Sequence, residues 1–535
     1  MILIVDFGSQ TTHLISRRLK EIGVATKIVH PEKILNQVQN DKGIKGIILS
    51  GGPSSVYEKN APSIDKKIFS LGIPILGICY GFQLTAHLLN GKVIPGKKEY
   101  GPVKLRIANR ESRIAGKLPE QFTVWMSHGD EVIKLPSGFE TFGSTERVSF
   151  ALVGNPAKNI YGLQFHPEVE HTECGLTILR NFVSVCHPEF TRLGAKRVSG
   201  SNEMLNQASP SQTWLSRDQH DTGKIIKNIR ETVGEKDYVI GAVSGGVDST
   251  VASLIAAKAI GKRFIPIYVN NGLMREGTEE HVLKIFKKTG IKPIVINVVG
   301  EMLKRLEKIS DSEEKRKIIG KFYIEIFELE MEKLKKKKIP VKYLLQGTIY
   351  SDVIESKGTK YASSIKSHHN VGGLPQKMKL KLLEPMRNFY KDEVREIGRK
   401  LGVPEEFINK QPFPGPGYAV RIRGEVTKKR LQMERESDEI VLEELKKAGL
   451  LSKVFLSFPV LTGAYSTAVK GDGRHFGEVV ALRVVESKDI MTSTWSRLPY
   501  DLLQKISSRI VNEVPNVSRV VYDITTKPPA TMEWE

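Results

Sequence analysis

At 535 residues the chain exceeds one ordinary hydrophobic core, and a prior of roughly 100–200 residues per domain gives about three or four domains. Its 40% hydrophobic and 26% charged content is that of a globular protein, and no apolar run approaches the roughly 18 residues a membrane helix needs. A formal charge of +21 fits either a basic nucleic-acid surface or an enzyme with anionic substrates.

The start, Met1–Asp6, has no basic n-region or long apolar stretch and reads as a buried strand rather than a signal peptide. Three cysteines (Cys79, Cys174 and Cys186) are too few for a disulfide framework, so a reducing, cytoplasmic setting is expected. Lys333, Lys335, Lys336, Lys337, Lys338 and Lys342 close a helical pattern and read as a solvated face. With no zinc-finger spacing, RNP motif or basic helix followed by heptads, neither nucleic acid nor a membrane is expected as a partner.

Along the first stretch, strands at 3–6, 25–29, 46–50 and 74–78 alternate with helical patterns such as that through Leu14, Ile15, Leu19 and Ile22. That alternation predicts a parallel, doubly wound sheet, closed by strands at 100–108, 123–126 and 160–164. The domain is expected over 1–190, with a polar linker at 191–221. The rhythm restarts with a strand at 238–243, a helix at 249–260, a strand at 264–269, a helix at 279–289 and a strand at 293–299, giving a second α/β domain over 222–411. Phe413-Pro414-Gly415-Pro416-Gly417 marks the next boundary. The remainder, 412–535, mixes helices (434–448, 500–514) with strands (479–485, 519–524) as an α+β domain. Its amphipathic elements need apolar partners, which a symmetric homodimer would supply.

Two segments carry chemistry. Ile75-Leu76-Gly77-Ile78-Cys79-Tyr80-Gly81-Phe82-Gln83 puts a cysteine between a strand and a helix. Unpaired helix N–H groups and the helix dipole there favour a thiolate, although a lone cysteine is otherwise a structural one. His166-Pro167-Glu168 follows the strand at 160–164, so His166 can serve as a base and Glu168 can orient it. The second segment, Ser244-Gly245-Gly246-Val247-Asp248-Ser249-Thr250, joins a strand to a helix. Adjacent glycines and a helix N-terminus suit a phosphate, yet the Gly-x-x-x-x-Gly-Lys pattern of the common NTPase loop is missing.

The Cys79 turn, Ser50-Gly51-Gly52-Pro53 and His166-Pro167-Glu168 resemble the class I glutamine amidotransferase family. The resemblance implies Cys79 as nucleophile, His166 as base and Glu168 as its orienter. It also implies backbone N–H groups of Gly52 and Tyr80 as the oxyanion hole, and Gln83, Ser127, His128, Gly129 and Asp130 near the bound glutamine. Ser244–Ser249 resembles the pyrophosphate loop of the N-type ATP pyrophosphatases, which have an adenine-nucleotide α-hydrolase-like fold. From that resemblance Ser244, Gly245, Gly246, Val247, Asp248, Ser249 and Thr250 are expected at ATP, with Asp248 a Mg²⁺ ligand or a phosphate-positioning group, the alternative being a helix N-terminal carboxylate. Asn270 stands where that family commonly has Asp, which removes a charge from the neighbouring strand end.

Segments of the middle and last domains resemble the glutamine-hydrolysing GMP synthetase family. They are Lys315–Gly320, Ile365–Asn370, Phe413–Gly417, Gly471–Arg474 and the end Lys527–Glu535. In that family glutamine supplies ammonia, ATP adenylates XMP with release of pyrophosphate, and amination gives GMP and AMP in de novo guanine nucleotide synthesis. The resemblance implies Arg316, Asp472, Lys527, Met532 and Glu533 at XMP, a lid carrying Lys366, His368 and His369, and a homodimer through the last domain. An ATP-dependent glutamine amidotransferase with another acceptor is the alternative. Ser466–Lys470 is more polar than that family's usual stretch before Gly471.

Overall fold

The computed structural model describes residues 1–187, 222–287, 289–350, 352–353, 380–470, 473–487 and 490–535. The expected linker at 191–221, the lid residues Lys366, His368 and His369, and Asp472 lie outside the described residues.

The first part is a nine-stranded sheet in the order β2-β1-β3-β4-β9-β8-β7-β5-β6. Its strands are β1 (Ile2–Val5), β2 (Thr26–Val29), β3 (Gly46–Leu49), β4 (Ile75–Ile78), β5 (Lys92–Ile107), β6 (Gln121–Lys134), β7 (Glu140–Ser144), β8 (Leu152–Asn155) and β9 (Ile160–Leu163). β2, β1, β3, β4 and β9 pair in parallel, as β1, β3, β4 and β9, buried along their length, require. From β9 outward the pairing is antiparallel, so the sheet is mixed rather than wholly parallel. Helices α1 (Thr12–Glu21), α2 (Ile34–Asn40), α3 (Tyr80–Leu88) and α4 (Gly175–Cys186) complete this part.

The second part begins with α5 (Thr222–Val233) and has a five-stranded parallel sheet, β12-β11-β10-β13-β14. The strands are β10 (Tyr238–Ala242), β11 (Phe264–Asn270), β12 (Ile294–Asn297), β13 (Val341–Leu345) and β14 (Lys381–Leu383). Between them run α6 (Val247–Ile260), α7 (Thr278–Lys287), α8 (Val299–Arg305) and α9 (Ser312–Lys336), with α10 (Lys391–Lys400) and α11 (Glu405–Ile408) after β14. Lys342 lies in β13, not on the lysine-rich end of α9.

The third part packs α12 (Lys428–Lys447) and α13 (Tyr500–Glu513) on β15 (Leu456–Lys470), β16 (Gly473–Glu486), β17 (Thr494–Trp495) and β18 (Val517–Tyr522). One apolar cluster runs unbroken from Ile240, Met302 and Ile326 to Ile422, Leu461, Val480 and Ile510. The helices expected to need a second copy therefore find apolar partners within their own chain. The outer end of the β15–β16 hairpin is uncovered: Tyr465 stacks on Phe476 there, and Val469 is 76% exposed.

Candidate functional site

Glycines fix the turn that carries Cys79. A Cβ at Gly77 would lie 2.7 Å from the Gly81 carbonyl, and one at Gly81 would lie 2.2 Å from Leu49 O, so α3 can approach β4 only with glycine at 77 and β3 only with glycine at 81. Cys79 itself has φ +49°, a left-handed conformation that strains a non-glycine residue and is held here by the packed strands on either side. Its N–H donates to Leu163 O at 2.7 Å, tying β4 to β9. Its Sγ lies 3.5 Å from Ser127 O and 3.8 Å from Gln164 Nε2.

Three residues past β9, His166 Nδ1 bonds Glu168 Oε1 at 2.8 Å. The same carboxylate oxygen accepts from Thr11 Oγ1, 157 residues earlier, at 2.5 Å. Burial works against a charged His166, but the Glu168 carboxylate and the Cys79 thiol outweigh it and raise the imidazole to about 10. The structure thus brings Cys79, His166 and Glu168 together as the sequence implies.

Around this triad, Gln83 Nε2 donates to Asp130 O at 2.8 Å, and Tyr57 OH donates to Asp130 Oδ1 at 2.8 Å. Ser127, His128 and Gly129 stand beside them on β6. Burial lowers His128 to about 4 and raises Glu99, whose Oε2 lies 3.4 Å from His128 Nε2. A Cβ on Gly52 would meet Phe7 O at 2.8 Å, and one on Gly51 would meet His166 Cε1 at 3.0 Å. Tyr80 opens α3, where first-turn N–H groups have no partner inside the helix. Sequence reasoning missed Thr11 and Gln164.

In the second part the loop after β10 folds on its own hydroxyls. Ser244 Oγ lies 2.9 Å from Ser249 Oγ, which in turn donates to Gly246 O at 3.1 Å. α6 begins at Val247, so Val247, Asp248, Ser249 and Thr250 form its first turn, two residues earlier than the sequence pattern gives. Gly245, at φ +78°, is the conformationally required glycine: a Cβ there would lie 2.6 Å from Thr278 Cγ2. At Gly246 the nearest atom would be Ser244 Oγ at 3.4 Å, which is ordinary contact.

Asp248 Oδ2 pairs with Lys391 Nζ at 2.5 Å, while its Oδ1 is buried without a hydrogen-bond partner. Such an orphaned carboxylate oxygen fits Mg²⁺, a hard cation usually held by one or two carboxylates together with substrate phosphates. Asn270 bonds Glu279 and caps Gly272, so its amide serves the loop rather than a metal. No local pattern marks Lys391 and Arg395, both brought to the loop by α10. Burial lowers Arg395, against the pull of Asp248.

The tail folds back onto α9 and the start of the third part. Arg421 Nε and Nη2 each donate to Glu533 at 3.1 Å, Arg423 pairs with Glu535, and Arg316 donates to the Glu535 carbonyl. Lys315, fully buried, donates to Ile422 O at 2.6 Å. Lys527 Nζ donates to Ile490 O at 2.8 Å, and Met532 is buried among Leu456, Phe458 and Val460. Arg316 and Glu533 thus lie on one cluster with Arg421, Arg423 and Glu535, whereas the Met532 side chain is part of the core.

A cysteine–histidine–glutamate site on one sheet and a phosphate-type loop on another define an amidotransferase joined to an ATP-using unit. Residues 3–186 match the family model for class I glutamine amidotransferase, 220–321 that for NAD synthase, and 443–534 that for the GMP synthase C-terminal domain. The chain is 48% identical to the GMP synthase (glutamine-hydrolyzing) of Aquifex aeolicus, covering 100% of this chain and 99% of the relative. It is 46% identical to that of Brachyspira hyodysenteriae and 47% identical to that of a Campylobacter jejuni strain, each again over 100% of this chain and 99% of the relative. The chain belongs to the glutamine-hydrolyzing GMP synthase family and is an enzyme.

Proposed function

We propose that the chain makes GMP from XMP, glutamine and ATP, with Cys79 and the Ser244–Thr250 loop as its two reaction centres. The observation that carries this reading is the joining of the Cys79–His166–Glu168 triad to an Asp248-bearing phosphate loop in one chain. Cys79 Sγ attacks the glutamine carboxamide carbon, and the oxyanion faces the Gly52 and Tyr80 N–H groups. His166 then gives its proton to the departing ammonia, Glu168 holding the ring by Nδ1. Water hydrolyses the thioester and releases glutamate. Gln83, Ser127, His128, Gly129 and Asp130 border the glutamine.

At the second centre the XMP oxygen attacks the α-phosphorus of ATP and pyrophosphate leaves. Ammonia then displaces AMP from the same carbon to give GMP. Ser244, Gly245, Gly246 and the first turn of α6 hold phosphate oxygens, and Lys391 and Arg395 offset their charge. Mg²⁺, bound through Asp248 and the ATP phosphates, would neutralise charge on the departing pyrophosphate. Arg316 and Lys527 suit the XMP phosphate, and Glu533 suits donors on its base or ribose.

The three units correspond to 1–190, 222–411 and 412–535, and a homodimer forms through the last. Supporting the dimer is the exposed Tyr465–Phe476 stack with Val469 on the β15–β16 hairpin. All three cysteines are free, and a working Cys79 thiol suits a reducing cytoplasm. The test supplies glutamine, ATP, Mg²⁺ and XMP and follows GMP, AMP, pyrophosphate and glutamate. GMP and AMP in equal amounts are expected, and ATP cleavage that needs some other acceptor would overturn the reading. Sedimentation of a fully active monomer would overturn the dimer.

A further inference from the structure

Residues Ile490–Ser493, just ahead of β17, reach from Lys527 to the glutaminase part. On one side Lys527 Nζ donates to Ile490 O at 2.8 Å, and the main chains of Lys527 and Ser493 exchange bonds of 2.8 and 2.9 Å. On the other side Met491, 5% exposed, packs with Leu14, Trp125 and Val169 of the glutaminase part. Thr492 Oγ1 lies 2.9 Å from His171 Nδ1, and the His171 ring lies 4.7 Å from that of Trp125.

Trp125 is tied to the catalytic histidine through the main chain. Its carbonyl accepts from His166 N–H at 3.0 Å. Thr172 Oγ1 accepts from Trp125 N–H at 3.0 Å and donates to His166 O at 2.6 Å. Both main-chain polar groups of His166 are therefore held by the strand and turn on which Met491 rests.

We propose that the loop Ile490–Ser493 couples nucleotide at Lys527 to the alignment of His166, with Met491 as the positioning residue. The proposal rests on Lys527 meeting the phosphate of a nucleoside monophosphate. A phosphate dianion is a stronger acceptor for an ammonium than a peptide carbonyl, so its arrival redirects Lys527 away from Ile490 O. Ile490 is β-branched and sits at φ +67°, a conformation that needs such contacts to persist. Releasing it moves Met491 on Trp125. A displacement of about 1 Å at a catalytic group is enough to change a rate about 100-fold.

The test measures glutamate release and ammonia-driven GMP formation by the full chain. In the unaltered protein, saturating XMP should raise glutamate release about fivefold or more. Met491→Ala should lose that rise while keeping its nucleotide-free rate and its XMP KM in the ammonia-driven reaction. Met491→Leu, which refills the Trp125 contact, should restore it. Absence of the rise in the unaltered protein, or its survival in Met491→Ala, overturns the coupling. Loss of ammonia-driven synthesis in both Met491 variants overturns it too, because the loop would then build the nucleotide site rather than report on it. Lys527→Ala separates the two readings. An unchanged XMP KM defeats the phosphate assignment and the coupling with it, whereas a raised KM beside an intact rise in Met491→Ala defeats the coupling alone.

Discussion

The triad and the proposed nucleotide cluster both hold opposite charges together, in different ways. At the triad one acid and one base face each other across 2.8 Å, and Thr11 fills a further lone pair of Glu168. At the nucleotide cluster Arg421, Arg423 and Arg316 are matched by Glu533 and Glu535 of the chain's own tail. A neutral amide can enter the first without disturbing any ion pair. An anionic nucleotide entering the second, as proposed, would have to take over contacts that the tail now makes, so binding there would move protein and binding at the triad need not.

The sharpest break in that comparison separates the two chemistries. Cys79→Ala should reduce glutamine-dependent GMP formation by about 1,000-fold or more, the usual scale for losing a nucleophile, and leave ammonia-dependent formation within about twofold. Steady-state rates with the two nitrogen sources decide it. Equal loss of both in folded protein would mean that the sites are not separable.

The phosphate loop offers a paired test. A Cβ at Gly246 meets nothing closer than Ser244 Oγ at 3.4 Å, so the fold should accept Gly246→Val while the side chain obstructs phosphate. Pyrophosphate release should fall about 100-fold with either nitrogen donor, in line with a misplaced reacting group. Gly245→Ala instead forces a Cβ onto Thr278 at φ +78°, and its first effect should be a loss of about 1–3 kcal/mol in stability. Thermal melts of both variants, beside pyrophosphate assays, distinguish obstruction from strain. Near-normal pyrophosphate release by Gly246→Val would remove the loop from the ATP site.

A smaller effect tests how completely the triad is pre-set. Thr11→Val keeps the shape and removes the hydroxyl that bonds Glu168. A hydrogen bond to a charged group contributes about 1.5–3 kcal/mol, so basal glutaminase kcat should fall by about tenfold or more, with little change in the glutamine KM. An unchanged kcat would show that Glu168 needs only His166.

How much of this was legible in sequence follows from how local each signal is. The Cys79 turn and the Ser244 loop are contiguous, and the glycines that make them possible lie within a few residues. Thr11 reaches Glu168 across 157 positions and Lys391 reaches Asp248 across 143, and nothing in either neighbourhood announces the partner. The antiparallel half of the first sheet escaped for a related reason. β5 and β6 pair over 16 and 14 residues, and their length and register depend on each other rather than on a local pattern. Burial of charge in α12 was equally illegible: within Met433-Glu434-Arg435-Glu436 nothing local marks Glu434, which is fully buried.

Glu434 supplies the least dramatic prediction and the one that bears on the nucleotide cluster alone. Neither of its carboxyl oxygens has a hydrogen-bond partner. Burial raises it well above the ordinary carboxylate range, with Asp438, Glu533 and Glu478 pushing the same way and only Arg421 opposing. A carboxyl raised in this manner binds its proton more tightly in the folded chain than in the unfolded one. Its favourable contribution is therefore complete below the ordinary value of about 4.3 and is lost as pH climbs through the raised one. Glu434→Leu, similar in volume and without polar atoms, should raise stability by about 1–3 kcal/mol near pH 5, the cost of an unpaired buried polar group. At pH 8 the gain should be larger, because the unfolded glutamate ionises there while the buried carboxyl resists it. Glu434→Gln should gain less, because its amide also lacks partners there. Melting curves of the three proteins between pH 5 and 8 read this directly. A Glu434→Leu protein that melts lower at pH 8 would mean that the carboxylate is ionised and held by Arg421, and the cluster would then be balanced as tightly as the triad.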